Sequence, residues 1–179
     1  MAHSHPFTPI KPFIGLIFSD TYDITPILEA LSSHLGPIDH HSPILDFSHT
    51  SFYTQEMGTA LKKQFFGFSN LLSAENATKT KLISNNIESQ HTHQKQRQIN
   101  IDPGMLSLHN IILFSTKNYA HRIPLTQGIY AELTLIYRQK KYIPVEWTYP
   151  DYKTKPYLDF FYHLRTLYQE QLQVIETCS

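Results

Sequence analysis

The chain is poor in several features that would have narrowed its role. It has one cysteine in 179 residues, Cys178, in the next-to-last position. No disulfide can form within the chain, and the thiol falls in a terminus expected to be frayed and exposed. A reducing compartment, the cytoplasm, is the expected location. No stretch approaches the roughly 18 apolar residues of a membrane span; the longest candidates, Ile10–Phe18 and Ile111–Phe114, are of core length. Met1 to Pro12 has no apolar run of the signal-peptide kind. Neither charge is in excess, with 15 Lys plus Arg against 15 Asp plus Glu. A zero balance argues against nucleic acid held by bulk electrostatics. The six glycines form neither a phosphate-binding loop ending in Gly-Lys-Ser/Thr nor a Gly-x-Gly-x-x-Gly dinucleotide fingerprint. His-Glu-x-x-His, Cys-x-x-Cys and Gly-x-Ser-x-Gly are missing as well.

What is abundant is aromatic, 11 Phe and 11 Tyr, together with 11 His. So many rings predict a folded chain, and the length suits one domain with a real core. The expected division is a flexible tail over residues 1–11 and a single domain over 12–175. Phe13–Phe18 reads as a buried strand. Ile24, Ile27, Leu28, Leu31 and Leu35 share one helical face, and Gly36-Pro37 stops that helix. Ser42–Phe47 and Lys63–Leu71 read as strands. Ser73 caps a helix whose buried face carries Leu82, Ile83 and Ile87. The polar run Gln90–Gln98 reads as a mobile loop, and Gln98–Ile101 as a short strand entering an Asp102-Pro103-Gly104 turn. Leu106–Lys117 is read as a helix, with a strand at Asn110–Phe114 as the competing assignment.

The clearest sheet signal is His121–Leu125, Ile129–Tyr137 and Lys141–Trp147, three runs joined by short links. By period two, Tyr130, Glu132, Thr134 and Ile136 share one face and Ala131, Leu133, Leu135 and Tyr137 the other. A helix from about Pro156 to Val174, with Tyr157, Phe160, Phe161, Leu164, Leu167, Tyr168 and Leu172 inward, closes the sheet. The expected class is α+β: a mixed or mainly antiparallel sheet covered by helices, with a C-terminal antiparallel meander. The β-α-β-β-α-β order at the front allows a ferredoxin-like subdomain.

Candidate site residues follow from polar groups at strand ends or inside apolar runs. Asp20 ends the first strand, where ligands often bind, or it caps the next helix. Glu56, in Tyr53–Gly58, is a site residue or a turn residue. Asn100 and Asp102 point to one side of their strand, unless Asp102 serves its turn. Lys117, His121 and Arg122 lie within six positions and suit a phosphate or carboxylate; if both are in a strand, His121 and Arg122 face opposite ways. Glu132, beside Tyr130 in an apolar strand, needs a partner such as Arg122 if buried. The rings of Trp147–Tyr152, Tyr149 among them, stack on a ligand or seal the core edge.

The segments KPFIGLIFSD (11–20), YTQEMG (53–58), NIDPG (100–104), STKNYAHRI (115–123), GIYAELTLIY (128–137) and WTYPDY (147–152) together resemble the DUF4416 family of bacterial proteins, over Lys11 to about Gln171. The resemblance implies no reaction. From the residues alone, the favoured expectation is a small-molecule site for an anionic metabolite. In it His121, Asp102 and Glu132 do acid/base work, Lys117 and Arg122 hold the anion, and Asp20, Glu56, Tyr130 and Tyr149 contribute contacts. A carboxylate pair could hold a divalent ion, the one cofactor considered. The competing expectations are a protein-interaction module with an exposed ring patch around Tyr149 and Tyr152, and an RNA-binding protein.

Overall fold

In the structure, a computed structural model, residues 3, 5–48, 50, 52–94 and 96–177 are described; Cys178 lies outside them. The elements are β1 (Lys11–Ser19), α1 (Thr25–Leu35), β2 (Ile38–His41), β3 (Leu45–Asp46), α2 (Thr54–Met57), β4 (Leu61–Phe68), α3 (Ala77–Gln90), β5 (Thr92–His93), β6 (Gln96–Arg97), β7 (Ile99–Leu106), β8 (Asn110–Ser115), β9 (Ile123–Pro124), β10 (Tyr130–Arg138), β11 (Lys141–Pro144) and α4 (Lys155–Thr177). The main sheet runs β11-β10-β8-β7-β1-β4-β2, with β3 also on β4 and β9 also on β10. Every neighbouring pair is antiparallel. Within it, β7-β1-β4-β2 is the fourth-first-third-second order of a ferredoxin-like unit, whose helices are α1 and α3.

β1 is buried along both faces, which explains its unbroken apolar run. Ile14, Leu16 and Phe18 meet Ile27, Leu31 and Leu35 of α1, Ile87 of α3, and Phe66, Phe68, Ile99 and Ile101 of the flanking strands. On the opposite face, Phe13 and Phe65 pack under Tyr157, Phe160, Phe161 and Leu164 of α4. The Phe13 and Phe161 rings meet edge-on, 5.1 Å apart. Gly67 has no Cβ because Leu164 occupies that space. Of the three residues expected inside α3, Leu82 is instead exposed.

Several local assignments change. Lys11 is not tail: it opens β1, fully buried, and its ammonium bonds Asp39 (2.5 Å), Gln171 (2.9 Å) and the Phe68 carbonyl (3.1 Å). Of Ser42–Phe47 only Leu45–Asp46 is a strand, β3, and β2 lies ahead of the segment, because the Ser42 hydroxyl takes the Phe65 N–H at 2.9 Å and Pro43 has no donor. Part of 90–98 is the β5–β6 ribbon. Asp102-Pro103-Gly104 is no turn: β7 runs straight through it. Leu106–Lys117 is no helix: Ser107 to Asn110 make a hairpin turn, with the Ser107 hydroxyl bonded to the Asn110 side chain and to two backbone N–H groups. β8 then pairs with both β7 and β10.

The β10 register shifts between Leu133 and Leu135. This bulge breaks the period-two alternation at Thr134. Leu135 therefore joins the α4-side core with Leu113, which lies across from Glu132. Glu132 and Leu135 share a face that strict alternation assigned to different sides.

Candidate functional site

β7 and β8 are paired only at Gly104–Leu113, Met105–Ile112 and Leu106–Ile111. The first half of β7 pairs with β1 alone, so the sheet forks. Helix α3 supplies what the missing strand would. Glu88 Oε1 accepts the Ile101 N–H at 2.5 Å, and Lys81 Nζ donates to the Ile101 carbonyl at 3.0 Å. Pro103, two residues on, has the same orientation and no N–H to satisfy. Gly104 stands where the strands rejoin, because a Cβ there would collide with the Phe13 ring and the Ile112 carbonyl. The Asp-Pro-Gly sequence thus suits a forked strand as well as a turn.

A cavity of about 380 Å³ fills the fork. Its floor is the α4-side face of the sheet at Asn100, Asp102, Leu113 and Glu132, and it reaches through to Lys81, Asn85 and Glu88. Its walls are Phe47, Phe52 and Tyr53 on one side, Ser115, Lys117, Tyr119 and Arg122 on another, and Tyr149 to Tyr152 on a third.

Three ion pairs organise it. Arg122 Nε donates to Glu132 Oε2 at 2.6 Å, both side chains nearly without solvent contact. Nη1 donates to Ser115 Oγ (2.9 Å) and the Lys117 carbonyl (2.9 Å), and Nη2 to the Tyr149 hydroxyl (3.0 Å). Lys63 Nζ pairs with Asp151 at 2.5 Å inside a ring cage of Phe47, Phe65 and Tyr152. Arg97 Nε pairs with Glu56 at 2.8 Å, and its Nη1 donates to Asn100 Oδ1 at 3.1 Å. The Asp102 side chain makes neither an ion pair nor a hydrogen bond with any described residue.

Although Tyr149 is 43% exposed, its partial burial pushes the phenol up to about 12, with the Glu132 carboxylate adding to the shift. Burial raises the Tyr53 and Tyr152 phenols as well, with the Asp102 charge the next cause in each. All three phenols stay protonated at neutral pH. Burial also raises Glu88. Three buried polar atoms on lining residues have no hydrogen-bonding partner among the described residues: Asn100 Nδ2, Glu132 Oε1 and the Tyr152 hydroxyl.

Of the residues singled out from sequence, Asp102, Lys117, Arg122, Glu132 and Tyr149 line the cavity. His121 stands behind it, its Nε2 3.3 Å from Glu132 Oε2 and its ring stacked on Trp147. His121 and Arg122 both reach Glu132 because they precede β9 and escape strand alternation. Glu56 acts through Arg97 from outside. Asp20 is an exposed partner of Lys62 at 3.7 Å, and Tyr130 does not reach the cavity. Sequence reasoning missed Lys63, Asp151, Arg97, Lys81 and Glu88. A lysine beside the apolar run of β4 carried the same signal as Glu132, a charge that needs a buried partner. Among the described residues, no three His, Cys, Asp or Glu side chains come together as metal ligands. No described helix is long and apolar enough to cross a membrane.

Fold and site together define an α+β protein built around a ring-walled cavity in a forked antiparallel sheet. The chain belongs to the DUF4416 family, a domain of unknown function, whose model matches residues 8–168. No curated protein and no solved structure matches it.

Proposed function

We propose that this protein binds a small metabolite in the forked-sheet cavity. The observation that carries the reading is the trio of buried, unpartnered polar atoms, Asn100 Nδ2, Glu132 Oε1 and the Tyr152 hydroxyl, on residues of one cavity. A buried polar atom left unpaired costs roughly 1–3 kcal/mol, and a polar ligand offers all three a partner. The volume suits a small metabolite. Four of the five Arg122 N–H donors are committed and its charge is paired with Glu132, so the anion-holding role falls first to Lys117. The Lys117 ammonium lies 4.1 Å over the Phe52 ring at the cavity wall, where it can meet a phosphate or carboxylate of the ligand.

The test is a thermal-shift screen against phosphorylated metabolites, nucleotides, amino-acid derivatives and divalent cations. One ligand class should raise the melting temperature dose-dependently, by an amount that grows as RT ln(1 + [L]/Kd), and Asp102→Asn should abolish the rise. No rise across the panel would refute the reading.

A protein-interaction role is favoured by a different observation. Ile123, Leu125, Trp147 and Tyr149 are exposed, although Tyr152, expected in the same patch, is buried. A folded protein that gains no ligand in the screen but forms a complex lost in Trp147→Ala and Ile123→Ser would support that role.

A further inference from the structure

We propose that the inner end of the cavity seats a cationic nitrogen group, an amine, amidine or guanidine, with Asp102 as its counter-ion. The inference rests on the reading of the cavity as a ligand site and names the ligand's chemistry there. The charges of the lining residues support it. Lys63 is neutralised by Asp151, Arg122 by Glu132, and Arg97 by Glu56. Lys81 is bonded to the Ile101 carbonyl beside Glu88. Two lining charges are left without a partner of opposite sign among the described residues: Lys117, over the Phe52 ring at the wall, and Asp102 in the fork.

The position of Asp102 keeps it open. On β7 its same-face neighbours are Asn100 and Gly104. Across β1 it faces Gly15, and on the β8 side the fork leaves no strand. The free valences nearby are weighted toward acceptors: both Asp102 oxygens and Glu132 Oε1, against the single obligatory donor Asn100 Nδ2, with the Tyr152 hydroxyl able to serve either way. An anion at this end would meet two carboxylates. A cation would meet an unpaired carboxylate and the Tyr149 ring, over which no described protein cation lies.

The experiment uses the full chain and three probes of one shape: benzamidine, benzamide and benzoate, carrying an amidinium, a neutral amide and a carboxylate on the same ring. Binding is followed by calorimetry and by NMR shifts of the cavity residues. Benzamidine should bind at least about tenfold more tightly than benzoate, a difference of about 1.4 kcal/mol. Asp102→Asn should erase that preference. The variant removes no side-chain hydrogen bond among the described residues, and the wild-type preference stands as a readout on its own. If benzoate binds as tightly as benzamidine, or if Asp102→Asn leaves benzamidine binding unchanged, the cation seat is refuted while the cavity remains a ligand site. If none of the three shifts the resonances of Tyr53, Tyr149 or Tyr152, the cation seat and the ligand-site reading fall together.

Discussion

Replacing Arg122 with methionine should be among the most damaging single changes in the site. The guanidinium and the Glu132 carboxylate are both almost completely buried and 2.6 Å apart. Removing one member of such a pair leaves a desolvated charge, at a cost of about 3–5 kcal/mol. Arg122 also bonds Ser115, the Lys117 carbonyl and Tyr149, so it pins the wall between β8 and β9 to the turn before α4. Arg122→Lys keeps the charge but loses the planar fork, and should cost about 1–3 kcal/mol. Adding Glu132→Gln to Arg122→Met removes the stranded charge, so the double variant should be more stable than the sum of the two losses by at least about 1 kcal/mol. Urea unfolding of the four proteins gives the cycle, and Lys155→Met, which breaks the exposed Lys155–Asp159 pair, should leave the midpoint unchanged. A loss below about 1 kcal/mol in Arg122→Met, or strict additivity of the double variant, would show that the pair is not the buried, coupled unit described.

Two further outcomes follow from the fork. Gly104→Ala forces a methyl against the Phe13 ring and the Ile112 carbonyl; because the carbonyl is backbone, the loss should reach the upper part of the roughly 1–3 kcal/mol typical of overpacking. Gly128→Ala, at φ 73° with open space around it, should lose only the left-handed preference, about 1 kcal/mol, and circular-dichroism melts that rank the two equally would contradict the packing. Glu88→Gln keeps an oxygen acceptor for the Ile101 N–H and removes the ionisable group. Because the native Glu88 carboxyl is raised above its unfolded value, the wild type binds more protons folded than unfolded across that window. Its stability relative to Glu88→Gln should therefore be highest below the unfolded value and fall as pH rises through the native one. Denaturant melts of both proteins at pH 4 and pH 7 (about the unfolded glutamate value and well above it) measure the difference, and one that grows with pH would refute the assignment.

How much was legible in the sequence depended on whether local pattern and tertiary context agreed. α1 and α4 carry apolar stripes with helical spacing and fold as those stripes dictate. β10 shows the alternation of a strand, yet its bulge moved Leu135 onto the face of Glu132, and nothing local marks a bulge at Thr134. The strand β7 was obscured by Pro103 and Gly104. Both residues are turn formers by local rules, and both are needed here for tertiary reasons: the proline faces the fork, and the glycine admits the Phe13 ring. Charges inside apolar runs were informative in kind. Glu132 signalled a buried partner and Arg122 is that partner, whereas the same reasoning applied to Lys63 would have pointed to a carboxylate such as Asp151. The helix α3 hid its role because Lys81, Ser84 and Glu88 read as a solvated face. Their spacing of three to four residues is equally that of a polar stripe turned inward, and only the unpaired edge of β7 gives such a stripe something to bond.

The six segments that carry the resemblance to the family are far apart in the chain, and each contributes to the same cavity: Ile17 from the first, Tyr53 from the second, Asn100 and Asp102 from the third, Ser115, Lys117 and Arg122 from the fourth, Glu132 from the fifth, and Tyr149 to Tyr152 from the sixth. A fold alone does not require this. The core of α4 on Phe13 and Phe65, and that of α1 on Leu16 and Phe66, would hold the sheet together with its strands fully paired. Forking β7 from β8 gives up strand hydrogen bonds, which Glu88 and Lys81 replace only at Ile101. It also leaves polar atoms of Asn100, Glu132 and Tyr152 without hydrogen-bonding partners among the described residues. Those are costs to stability without a return in packing, and the proposed ligand site would account for them, because a ligand in the opening would offer these atoms partners.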